Sequence, residues 1–261
     1  MNVKILMLGD VVGVAGCSYL ASKGRLRKFV SDNKISLVIA NGENSADGNG
    51  ITPTSADSLI EAGVDVITGG NHTVRKKNIF TRLDDEELLL RPDNFPSRTP
   101  GTGHLTVDIA GYRIMVVNLA GQVYMDTHTS SPFEKLDYIL DSEKGRYDAV
   151  LVDIHAEATS EKLALARYAD GRVSAVAGTH THVQTADACV LPGGTGYITD
   201  LGMCGSRAGV IGVRTEDVLH KFLSVLPVTF NPATGDEYAT GAVFTVELPS
   251  GKCLSAEAVR F

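Results

Sequence analysis

No stretch of this 261-residue chain approaches the roughly 18 uninterrupted apolar residues of a membrane span, and charged residues run throughout. The apolar share, 43%, is ordinary, so the chain reads as a soluble globular protein. Positive charge is not in surplus: 24 Lys and Arg against 31 Asp and Glu give a formal charge of −7, which argues against an extended nucleic-acid surface but leaves room for a local phosphodiester site. Four scattered cysteines, Cys17, Cys189, Cys204 and Cys253, form no Cys-x-x-Cys pair, which speaks against structural zinc. The N-terminal apolar stretch is cut by Asp10 and lacks a basic n-region, so it reads as a first strand rather than a signal peptide. A reducing cytoplasm is then the expected setting, and the sequon Asn71-His-Thr73 has no meaning there. Nucleotide-binding signatures are missing too. Gly9-Asp10-Val-Val-Gly13-Val-Ala-Gly16 lacks the Gly-x-Gly-x-x-Gly spacing and would set an acid against a pyrophosphate, and no P-loop occurs.

What the chain does have is alternation. Apolar β-rich runs at Val3–Leu8, Ile35–Ala40, Val64–Thr68, Tyr147–Val152 and Val173–Ala177 are separated by helical patterns, the signature of an α/β chain. Leu20, Leu26, Phe29 and Val30 predict a helix over 18–32. Thr54 after Pro53 opens a helix that Gly63 ends, Ser160 with Glu161 opens one that Gly171 ends, and Thr215 with Glu216 and Asp217 opens another. Gly241–Leu248 and Leu254–Phe261, joined by Pro249-Ser-Gly251, read as an antiparallel hairpin, which makes the sheet mixed. With no long linker or repeat, a single domain over 1–261 is expected. The Thr- and Ser-rich stretch Val123–Pro132 is the best candidate for a loop overhanging a site. His104 and His128 read as solvated loop histidines, and His220 as a helix-surface or packing residue.

Chemistry-bearing residues collect at the strand ends. Asp10 follows the first run, Glu43 and Asn44 the second, Asn71 and His72 the third, and His155 the fourth. His180 and His182 follow the fifth, within Gly178-Thr-His-Thr-His182, where alternate residues of extended backbone point to one side. In sheets of parallel strands, ligands bind outside the carboxyl ends. Each residue alone is most simply a turn, cap or packing residue. Four His, two acids and two Asn at strand ends together point to a two-metal site, in which a carboxylate bridges ions roughly 3.5–4 Å apart. Asp, Glu, Asn and His accept Mn, Fe or Zn.

Gly9-Asp10, Asn41-Gly-Glu-Asn44, Gly70-Asn-His72 and Gly178-Thr-His-Thr-His182 resemble the calcineurin-like metallophosphoesterases, in particular the bacterial YmdB-like family. Asp153-Ile-His-Ala-Glu-Ala-Thr-Ser-Glu-Lys162, Asp170–Ala175, Thr181–Asp187 and Tyr197-Ile-Thr-Asp200 extend the likeness along nearly the whole chain. The resemblance implies a four-layer α/β/β/α sandwich of two mixed β-sheets, forming a single metallophosphoesterase domain. It also implies an iron or manganese pair, a homo-oligomer, and hydrolysis of phosphodiesters such as 2′,3′-cyclic nucleotides by a metal-bridging hydroxide, with a regulatory role in RNA metabolism compatible with it. By the same likeness Asp10, Glu43 and His182 would hold one metal, and Glu43 as bridge, Asn71, His155 and His180 the second. Asn44 would complete or orient the shell, and His72 would act on the leaving oxygen. The wider superfamily usually carries Asp-x-His after its first strand and Asp where Glu43 stands; with Asp10-Val-Val, only Asp10 takes over a ligand role. Val74-Arg75 stands where the family has Trp-Asp, and Cys204 where it has Thr; Arg75 would add a cation for the phosphate. A phosphomonoesterase or nucleotidase with the same metals, and an inert scaffold on the same fold, are the alternatives.

Overall fold

A computed structural model describes residues 1–47, 49–85 and 88–261. The expected apolar runs all form strands, because residues that bury on both faces of a sheet need no polar alternation. One six-stranded sheet holds β1 (Asn2–Val11), β2 (Leu37–Asn41), β3 (Val66–Thr68), β10 (Met203–Ser206), β11 (Glu237–Glu247) and β12 (Lys252–Arg260), in the order β12-β11-β10-β1-β2-β3 with β11 also paired to β1. The second holds β4 (His104–Ile109), β5 (Tyr112–Ala120), β6 (Ala149–His155), β7 (Ala175–Thr179), β8 (Cys189–Val190) and β9 (Gly196–Ile198), in the order β4-β5-β6-β7-β9-β8. Both sheets are mixed: β1, β2, β3 and β10 run parallel, as do β5, β6, β7 and β9, while the β11–β12 and β4–β5 hairpins are antiparallel.

Period-2 side-chain alternation sorts β1 between two cores. Ile5 and Met7 pack with Ile39, Leu151, Ala177 and Phe244 between the sheets. Leu6 and Leu8 face the other way, onto Leu20 of α1 (Gly13–Ala21), Leu26 of α2 (Arg25–Asn33) and Leu59 of α3 (Pro53–Ala62), with Leu83 of α4 (Phe80–Asp85) nearby. Leu136 and Ile139 of α5 (Pro132–Ser142) and Leu165 of α6 (Thr159–Tyr168) cover Val117, Val152 and Val176 on the outer face of the second sheet. The layers are therefore α/β/β/α. The seventh helix, α7 (Thr215–Ser224), buries only Val218. No helix among the described residues is long and apolar enough to cross a membrane.

The structure corrects two expectations. The helix predicted over 18–32 is two helices, because Lys23 and Gly24 take left-handed backbone angles, φ 53° and 63°, and break the ladder between Ala21 and Arg25. Periodicity alone could not show this, since apolar spacing is kept on both sides of the break. The strands β4 and β5 lie in a stretch to which no element was assigned, although Ile114-Met-Val-Val117 in β5 is an apolar run of the kind that marks the other strands. His104 is therefore not a solvated loop residue: it opens β4 and its Nδ1 lies 2.6 Å from Asp93 Oδ2. His128 and His220 are exposed, the first in the loop after β5 and the second on α7.

Strand register levels the carboxyl ends. Asp10 pairs with Asn41 and Asn41 with Thr68 in one sheet, and His155 pairs with Thr179 in the other. Both sheets deliver these ends to one edge of the sandwich, where the site is built.

Candidate metal centre

Glu43 sits at the centre of the strand-end residues. Its Oε1 lies 3.1 Å from His155 Nε2, 3.2 Å from Asn44 Nδ2 and 3.3 Å from His72 Nδ1, while Oε2 accepts the His72 backbone N–H at 2.7 Å. On one side of it stand Asp10 and His182, with Asp10 Oδ1 3.6 Å from His182 Nε2 and 3.3 Å from Asn44 Nδ2. On the other side His155 Nε2 lies 3.0 Å from His180 Nδ1 and 3.1 Å from Asn71 Oδ1. The ligand atoms of Glu43, His155 and His180 all fall within 4.8 Å of one another. Asp10, Glu43 and His155 are buried essentially completely.

The outward hydrogen bonds of the three imidazoles fix their tautomers. His155 Nδ1 meets Thr179 Oγ1 at 2.9 Å, and that hydroxyl donates its one hydrogen to Asp153 Oδ1 at 2.8 Å, so the imidazole is the donor. His182 Nδ1 donates to the Ile211 carbonyl at 2.9 Å. His180 Nε2 lies 3.2 Å from Glu157 Oε2. Each ring thus spends its N–H outward and turns a lone pair inward, the arrangement that orients imidazole ligands. Three imidazole lone pairs, two carboxylates and the Asn71 carbonyl converge, and the Asn44 amide and the His72 and His180 backbone N–H groups are too few donors to match them, an arrangement that a cation satisfies. The donor set fits metal.

The same demand for positive charge governs titration. Burial would lower His155, but Glu43, Asp10 and Asp153 outweigh it and push the imidazole up to about 9. Burial would likewise raise Asp10 and Glu43; His182 and His155 respectively hold them below the usual carboxylate range. Burial, with His155 adding to it, pushes His180 down to about 4. Burial also lowers His72 and pushes Asp153 up to about 6.

Both His180 and His182 have positive φ, 108° and 65°, which non-glycine residues adopt only where surroundings over-determine them. Here Asp200 does so: its Oδ2 accepts from Thr181 N–H at 3.1 Å, Thr181 Oγ1 at 2.8 Å and the buried Lys162 Nζ at 2.8 Å. Asp10 Oδ2 takes the His180 N–H at 3.0 Å. Close approach matters as much at Gly70, where a Cβ would stand 2.2 Å from His155 Cδ2 and 2.4 Å from Glu43 Oε2. Gly70→Ala is expected to cost about 1–3 kcal/mol of stability through this overpacking and to lower metal occupancy, read by thermal melting and elemental analysis.

All of Asp10, Glu43, Asn44, Asn71, His72, His155, His180 and His182 come together. Arg75 is exposed on the turn that follows His72 and is close enough to depress that imidazole electrostatically. Cys204 is buried in the helix-side core, its thiol pushed up to about 12 by burial, and is a packing residue. The overhanging loop touches the site through Asp126, whose Oδ1 accepts from Asn71 Nδ2 at 3.5 Å. Sequence reasoning did not assign Asp153, Glu157, Thr179 or Asp200 a place around the ligands. Asp153 and Glu157 stand two residues before and after His155, and that spacing was a usable signal. A cleft of about 390 Å³ opens over the centre, with His72, His180, His182 and Glu157 in its lining.

A family model described as YmdB-like protein matches residues 6–259. The 2′,3′-cyclic-nucleotide 2′-phosphodiesterase of Bacillus subtilis (strain 168) is 44% identical over 256 residues, 98% of this chain and 96% of its own length. Among solved structures, a Mycoplasma pneumoniae phosphatase superposes with a TM-score of 0.93 at 34% identity, covering 100% of this chain and 94% of that one. A hypothetical protein from Thermus thermophilus superposes with a TM-score of 0.90 at 40% identity, covering 99% of this chain and 98% of that one.

Proposed function

Because the chain belongs to the YmdB-like family, we propose that it is a metal-dependent phosphodiesterase acting on small phosphodiesters such as 2′,3′-cyclic nucleotides, with the strand-end cluster as its active site. The observation that carries this reading is the inward set of lone pairs and carboxylates, whose imidazoles are each tied outward by Thr179, Glu157 or the Ile211 carbonyl. Asp10, His182 and the Asn44 amide would hold one cation and Asn71, His155 and His180 the other, with Glu43 shared. When bound, such a pair, of iron or manganese with zinc admissible, neutralises charge on the phosphoryl oxygens and lowers the pKa of water toward about 7.

The chain's own groups do the rest. An amide offers its oxygen to a cation, so Asn44 as a ligand would exchange its amide ends and turn its NH₂ toward His72 Nδ1, which its Oδ1 meets at 2.8 Å. His72 then carries its proton on the remaining nitrogen and can donate to the leaving oxygen in the cleft that it lines. Arg75 adds positive charge beside it. Cleavage of a 2′,3′-cyclic phosphate on this site yields one ribose phosphomonoester.

Paired assays on adenosine 2′,3′-cyclic phosphate, bis-nitrophenyl phosphate and nitrophenyl phosphate test the assignment. The diesters are expected to show the higher kcat/KM. Preference for the monoester would make the protein a phosphomonoesterase with the same metals, and no turnover of any of the three with metal bound would make it a scaffold.

A further inference from the structure

The cleft over the centre is lined by metal-facing groups, among them His72, His180 and His182. The same lining also carries Phe230, Pro232 and Val213. Phe230 is 47% exposed, belongs to none of the hydrophobic cores, and pairs with no other aromatic ring among the described residues. Core packing therefore does not account for this ring. Its backbone setting is nevertheless fixed. The N–H and Nδ2 of Asn231 both donate to Asp217 Oδ2 at 2.9 Å, the Arg214 N–H donates to Asn231 O at 2.9 Å, and Val213 bridges Pro232. The phenyl is presented to the cleft from a pinned segment.

A nucleoside cyclic phosphate carries both an anion, which suits the cluster residues, and a flat π face, which suits the phenyl ring in the same lining. The volume, about 390 Å³, falls within the roughly 300–1,000 Å³ of small-molecule sites. Resting on the phosphodiesterase reading, we infer that Phe230 stacks on the nucleobase and makes the enzyme selective for nucleoside cyclic phosphates over cyclic phosphates that lack a base. Stacking tolerates any base, because each has a π face. Purines, with the larger face, bind more tightly than pyrimidines.

Steady-state kinetics of the metal-loaded enzyme on adenosine 2′,3′-cyclic phosphate and on methyl riboside 2′,3′-cyclic phosphate test this, together with calorimetric binding of adenosine 3′-monophosphate. Phe230→Ala is expected to raise KM for the adenosine substrate roughly 5- to 100-fold, with kcat changed far less, and to weaken nucleotide binding by a similar factor. KM for the base-less substrate barely moves, and Phe230→Tyr restores discrimination. Phe222, 79% exposed on α7 and outside the cleft lining, provides the control for a general surface effect. An equal loss on both substrates, no loss on either, or the same penalty from Phe222→Ala overturns the inference. A wild type that turns over neither cyclic phosphate overturns the phosphodiesterase reading and this inference with it. Turnover of both by the wild type, with no discrimination lost in Phe230→Ala, sinks this inference alone.

Discussion

Glu43→Ala is expected to leave the purified protein short of both metal ions and to cut turnover by on the order of 10³-fold or more, since the metals supply several kcal/mol of transition-state stabilisation. The reason is its shared position. Glu43 Oε1 stands 3.1 Å from His155 and 3.2 Å from Asn44, so it faces both halves of the cluster. Asp10 alone on one side, or His155 and His180 alone on the other, lacks a carboxylate between them. Removing a peripheral ligand such as Asn71 should weaken one ion only. Elemental analysis of the variant decides the matter: two metals retained per chain would show that Glu43 is not shared. Circular dichroism guards against the trivial outcome, because Glu43 also accepts the His72 backbone N–H at 2.7 Å and its loss can loosen that turn. Glu43→Gln keeps an acceptor for that N–H while removing the charge, and is expected to lose metal as well.

His72→Ala is expected to behave differently, with metal content kept and kcat lowered roughly 10²-fold or more. The imidazole turns Nδ1 to Asn44 Oδ1 at 2.8 Å and to Glu43 Oε1 at 3.3 Å, which leaves its other nitrogen for the cleft that it lines. A group that assists departure of the leaving oxygen matters most when that oxygen is a poor leaving group. The loss should therefore be large with adenosine 2′,3′-cyclic phosphate, which expels a ribose alkoxide, and much smaller with a nitrophenyl ester, which expels a stabilised phenolate. Equal losses on the two substrates would assign His72 to binding alone. Loss of metal in the variant would make His72 a ligand.

That the strand-end residues would gather into one cluster was legible in the sequence because each lies at the end of an apolar strand, and side-chain alternation with parallel topology sends such residues to one edge. The residues that orient them were not. Thr179 to Asp153, His182 to the Ile211 carbonyl and Lys162 to Asp200 are contacts between separate elements, and no local pattern marks which strands become neighbours. The break at Lys23 and Gly24 escaped for the opposite reason, since it is local but leaves the apolar spacing of Leu20, Leu26 and Phe29 undisturbed. Strand β4 alternates between partly buried and exposed positions and gave too weak an apolar run to register. Phe230 lies in an irregular segment between α7 and β11, where periodicity has nothing to report.

Whether the strand-end cluster is a two-metal phosphodiesterase site is decided most directly by metal content per chain on protein purified without chelators, coupled to hydrolysis of adenosine 2′,3′-cyclic phosphate before and after metal stripping. About two metals per chain are expected, with activity lost on stripping and regained on adding manganese. Near-zero metal that reconstitution cannot raise, or hydrolysis that survives stripping, would contradict a two-metal site.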